Sequence, residues 1–172
     1  MSWRSLLLAV VAATLVHLGL TRWWGDFPRF LDVFLVVTVL HALAGRSLPA
    51  LLGGMLCGLA HDVWSGEPFA LQGFANTFAG YVTARLAQRL TARTTAGLAG
   101  IVAIGVVVHQ LAVITLRWAI IPDSALPHFG WLFLRIGATA LAVLFFSELS
   151  ERALSRIKHQ RLQRPGRLRW NG

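Results

Sequence analysis

Residues 95–121 read TAGLAGIVAIGVVVHQLAVITLRWAII. The one formally charged residue is Arg117, close to the end of the run. A stretch this apolar and this long reads as a helix that crosses a bilayer. In lipid the backbone N–H and C=O groups have no water to bond, and a helix satisfies them within the segment. At 1.5 Å per residue the run would rise about 40 Å. That exceeds the roughly 30 Å hydrocarbon core, so it must tilt or protrude.

Working outward, five more apolar segments appear at about Leu6–Leu20, Phe30–Ala44, Leu48–Trp64, Phe69–Arg85 and His128–Leu149. Gly45-Arg46-Ser47, Ser65-Gly66-Glu67-Pro68 and the stretch from Pro122 to Pro127 break them, Gly and Pro being the usual punctuation. The second and third segments are short for a full span. The first resembles a signal peptide in length, but Thr21-Arg22-Trp23-Trp24 follows it in place of a small-residue cleavage site, so it reads as a retained helix. The expectation is an all-α polytopic bundle of six transmembrane helices over 1–150, followed by a basic tail over 151–172. Pro68 is expected to open the fourth helix, where its missing N–H costs nothing.

Composition agrees. Of 172 residues, 56% are hydrophobic and 13% charged, against about 25% charged in an ordinary soluble domain. The mean hydropathy is +0.63. These values exclude a soluble domain, a disordered chain and a nucleic-acid-binding module, although the net charge of +9 would otherwise suggest nucleic acid. Much of that charge lies in Arg152, Arg156, Lys158, Arg161, Arg164, Arg167 and Arg169 of the tail, where it reads as an anchor to anionic lipid. With the tail inside, Arg4, Arg46, Arg85, Arg89 and Arg93 share its side and only Arg22, Arg29 and Arg117 flank the other. The positive-inside rule then puts both termini in the cytoplasm. Trp23, Trp24, Trp64, Trp118 and Trp131 fall at the outer ends. Cys57 is the one cysteine, so no intrachain disulfide forms.

The residues that carry cost are few. Asp62 and Asp32 sit at the outer ends of their segments, and Arg135 lies inside the sixth. A charge at the centre of a span costs roughly 2.5–3.5 kcal/mol on insertion scales, so each is expected to have a partner. Arg135 is expected to pair with Asp62 or, second, with Asp32. Gln72, Asn76, Asp62, His61 and Arg135 could instead line an outward pocket. His17, His61 and Asp62 come nearest to a metal-ligand set, and His41 and His109 lie apart. Gly54 and Gly58 form a GxxxG, and Ala9 and Ala13 a similar pair. Such spacings let helices approach closely, within one chain or across a homodimer or partner interface. No nucleotide loop, nucleophile elbow or metalloprotease motif is present, and no cofactor or catalytic set is expected.

Gly58-x-x-x-Asp62, followed by Ser65-Gly66-Glu67-Pro68-Phe69 and a helix of small residues, resembles the MreD family of rod shape-determining membrane proteins. Chain size, six apolar segments, Asp32 opening a Leu/Val-rich helix and the basic tail fit the same pattern. One departure is visible. The family tends to have Pro-Leu-Gly-Leu where this chain has Pro68-Phe69-Ala70-Leu71. The resemblance implies a non-enzymatic subunit of the elongation machinery in the cytoplasmic membrane. Its partners would be MreC directly, with MreB, RodA and the penicillin-binding transpeptidase of RodA. It also implies a bundle similar to the substrate-binding subunits of energy-coupling-factor transporters. A substrate-binding subunit of a vitamin-type transporter is the competing reading.

Overall fold

The computed structural model describes residues 3–66, 68–89, 95–121 and 129–162. These form α1 (Trp3–Trp23), α2 (Phe27–Phe30), α3 (Val33–Ala42), α4 (Ser47–Ser65), α5 (Leu71–Arg89), α6 (Thr95–Ile120) and α7 (Phe129–Leu162). No strand is present among the described residues. The architecture is all-α, as expected for apolar runs that must satisfy their own backbone hydrogen bonds.

The short helix α3 is the hub. It packs against α1, α4, α5, α6 and α7. Phe34, Leu35, Val36, Thr38, Val39, His41 and Ala42 are all buried. A helix that is apolar nearly all round has no solvent or lipid face to prefer and belongs in the middle. Leu35, Val36 and Val39 join Ala79 of α5, Val102 and Val106 of α6 and Val143 of α7 in one core. On the other side, Phe34 meets Leu6 and Ala13 of α1 and Cys57 of α4.

The outward surface is apolar. Leu8 is 70% exposed, Phe133 70% and Leu141 69%. In water such a surface would be a liability; in a bilayer it faces lipid. α1, α6 and α7 are long and apolar enough to cross a membrane. α3, ten residues long, rises only about 15 Å, half the thickness of a roughly 30 Å hydrocarbon core. α4 and α5 are longer but give up apolar surface to glycines and polar side chains on their shared face.

Two boundaries differ from the sequence expectation. The second segment is broken: α2 is a single turn with Pro28 in its first positions, and Leu31 is extended before α3 begins. Asp32 is the reason, because its carboxylate accepts from the Leu35 N–H and caps α3 there. Pro68 does not open α5. Its carbonyl accepts from Leu71 N–H at 3.2 Å, and the helix starts at Leu71. The apolar part of α7 covers Gly130–Leu149, close to the expected sixth segment, and the helix itself runs on to Leu162. Residues 163–172 lie outside the described residues.

Candidate functional site

The polar side chains gather where α1 and α4 end and α3 and α5 begin. Asp32 is the centre. It is 2% exposed, yet each oxygen has company. Oδ1 accepts from Leu35 N–H at 2.9 Å, and Oδ2 accepts from Arg135 Nη2 at 2.8 Å. The Asp32 N–H points at Thr139 Oγ1, 3.4 Å away on α7. A buried carboxylate is tolerable only when paired and hydrogen-bonded, and here the N-cap and the arginine meet that condition together.

His61 of α4 flanks the pair. Its Nδ1 lies 3.7 Å from Asp32 Oδ1, beyond hydrogen-bond reach. The His61 ring stacks on Phe34 at 5.0 Å and meets the edge of His17 at 5.8 Å. Nothing in the sequence placed Phe34 or Thr139 in this cluster; their apolar and small-residue surroundings hid them. His109 of α6 is fully buried, within Coulombic range of Asp32, Arg135 and His61. His41 stands apart, its ring against Gly53.

Asp62 does something else. Its Oδ1 accepts from Gln72 N–H at 2.8 Å and its Oδ2 from Gly73 N–H at 2.9 Å. These are the second and third residues of α5, whose N–H groups have no partner inside the helix. The carboxylate of α4 thus caps the next helix from outside it. That corrects the expected Arg135–Asp62 pair: the open N–H groups of α5 engage both oxygens, and Arg135 goes to Asp32. Asp62 and His17 are also not brought together as a metal set. Among the described residues no group of three or more His, Cys, Asp or Glu side chains is placed to hold a metal ion.

The turn between α4 and α5 supplies the geometry. Gly66 closes α4 in the left-handed region at φ 65°, where glycine pays no Cβ penalty. Ala70, immediately before α5, sits at φ 72° and does pay it.

Gly54 and Gly58 are internal. A Cβ on Gly54 would strike the Asn76 carbonyl, and one on Gly58 the Gln72 carbonyl and the Gly73 Cα. The GxxxG therefore seats α4 on the backbone of α5 and offers nothing to a second copy or a partner. Ala13 is likewise buried against Phe34, Leu6 and Cys57, while Ala9 is half-buried. Gln72 and Asn76 face inward. Asn76 Nδ2 donates to the Gln72 carbonyl at 3.2 Å, while Gln72 Oε1 and Asn76 Oδ1 have no partner.

Comparison with protein-family models, with curated proteins and with solved structures returns no match. The chemistry of the cluster is that of a fastening: a buried ion pair ties α7 to α3, and a carboxylate cap ties α4 to α5.

Proposed function

We propose that this chain is a non-enzymatic scaffold of the bacterial cell-elongation machinery, of the MreD kind. In this reading it spans the cytoplasmic membrane six times with both termini inside. α3 completes its span with the α2 turn, and the bundle is of the type found in energy-coupling-factor substrate-binding subunits. It binds the transmembrane segment of MreC by close helix packing. It supports peptidoglycan synthesis alongside MreB, RodA and the penicillin-binding transpeptidase.

One observation carries the reading: the work done by the Gly58–Leu71 motif. Gly58 lets α4 touch α5, Asp62 caps α5, and Gly66 turns the chain. The positive φ at Ala70 gives a backbone reason for the glycine that the MreD pattern has there. The motif is a structural joint, which suits a scaffold whose outer apolar surface receives a partner helix.

A vitamin-type transporter subunit is the second reading. It is favoured by the buried polar atoms without a partner: Gln72 Oε1, Asn76 Oδ1 and both ring nitrogens of His109.

The test is purification of the tagged chain from its native membrane in mild detergent, with identification of what accompanies it. The scaffold reading expects MreC in near-equal amount. Recovery of an ATPase module or a bound vitamin in its place overturns it.

A further inference from the structure

One face of α5 is unlike the rest. Phe74, Phe78, Tyr81, Arg85 and Arg89 are all exposed. Their spacing of four, three, four and four residues places them in one stripe along the helix. Three aromatic rings are followed by two guanidinium groups. The Arg85 guanidinium carbon lies 6.0 Å from the centre of the Tyr81 ring, so the charged and aromatic parts of the stripe adjoin.

The aromatic half forms one wall of a groove. Phe74 and Phe78 of α5 face Val108, Leu111, Ala112 and Leu116 of α6 across a volume of about 350 Å³. Thr115 supplies the single polar side chain of the lining. The axial distance from Phe74 to Arg85 is about 16 Å. That matches half of the roughly 30 Å hydrocarbon core, the depth of one leaflet.

From this we infer that the α5–α6 face holds an anionic phospholipid. The phosphate sits between Arg85 and Arg89, and one acyl chain runs past Tyr81 into the groove between Phe78 and Ala112. A partner helix would need acidic side chains set opposite both arginines in addition to an apolar face for the groove. A phospholipid has both parts in the required order: charge at the interface, then hydrocarbon. The inference rests on the chain sitting in a membrane and not on the scaffold reading.

The test is titration of the detergent-purified full chain with phosphatidylglycerol or phosphatidylcholine, followed by native mass spectrometry. One phosphatidylglycerol is expected to bind saturably and well ahead of phosphatidylcholine. In R85Q/R89Q its affinity is expected to fall at least about tenfold, the order that two basic residues near an anionic surface supply. In A112F, which fills the groove and leaves both charges, it should fall several-fold; T115F, on the exposed rim, repeats the test should A112F fold poorly. R4Q/R22Q removes the same charge elsewhere and should bind within about twofold of the parent. Equal binding of the two lipids overturns the inference. So does unchanged binding in R85Q/R89Q or in the folded groove variants, or an equal loss in R4Q/R22Q.

Discussion

Arg135 of α7 donates to the buried carboxylate of Asp32 at 2.8 Å, across 103 residues of sequence. Asp32 is inaccessible and the Arg135 side chain is 22% exposed. Removing one member leaves the other without its counter-charge, which costs about 3–5 kcal/mol for a buried pair. Arg135→Leu and Asp32→Asn should each lower the melting temperature sharply in fluorescence-detected unfolding. The double variant should sit above the sum of the two losses. In a charge swap, Arg135→Asp should be partly rescued by Asp32→Arg and not at all by Asp62→Arg; rescue by the second alone would refute the pairing.

Asp62 should behave as a cap and not as an ion-pair partner. Asp62→Ala removes the acceptor for two N–H groups and should cost about 1–2 kcal/mol. Asp62→Asn keeps one acceptor and should recover about half of that. Amide exchange should quicken at Gln72 and Gly73 first. Faster exchange confined to α7 would place Asp62 elsewhere.

Ala70 offers a stabilising change. A non-glycine residue in the left-handed region costs roughly 1–2 kcal/mol. Ala70→Gly releases that strain while loosening the unfolded chain, so a net gain of about 0.5–1 kcal/mol is expected. Gly66→Ala, at φ 65° and with open space around it, should lose a similar amount. A lower melting temperature for Ala70→Gly would contradict the turn geometry.

The bundle was legible in the sequence because runs such as 95–121 admit only helices in lipid. The ends were less so. An apolar run marks a helix without marking where it stops, and the break at Leu31–Asp32 depends on a side-chain cap that looks like an ordinary acidic residue. The costly residues announced themselves as a set: Asp32, Asp62 and Arg135. Their pairing did not, because it depends on which carboxylate already has N–H donors. Asp62 stands one α4–α5 turn away from two free N–H groups, and that is a three-dimensional fact. Phe34 and Thr139 were hidden because nothing in their local sequence distinguishes a core residue from a wall of the polar cluster.

The two kinds of glycine in the bundle should separate cleanly. A Cβ on Gly58 meets the backbone of α5, which cannot move aside as a side chain could. Gly58→Val should therefore cost several kcal/mol, at the upper end of overpacking penalties. Gly100 of α6 has open space around it, and Gly100→Ala should gain up to about 1 kcal/mol from helix propensity. Equal melting temperatures for the two variants would mean that α4 and α5 do not touch along this seam.

His109 puts the two functional readings in direct opposition. It is fully buried, and neither ring nitrogen has a partner. An unsatisfied buried polar group costs about 1–3 kcal/mol. In a pure scaffold nothing repays that cost, and His109→Leu, close to it in volume, should raise stability by about 1 kcal/mol without loss of MreC recovery. In a substrate-binding subunit the same change would remove a polar contact to the ligand, and any ligand-induced rise in melting temperature would vanish with it. Gln72 and Asn76 supply the check, since their unpaired oxygens lie on the neighbouring helix α5. If Asn76→Leu and His109→Leu both stabilise the chain, the polar interior is a tolerated cost of the fold. If both abolish a ligand-dependent shift, the scaffold reading fails.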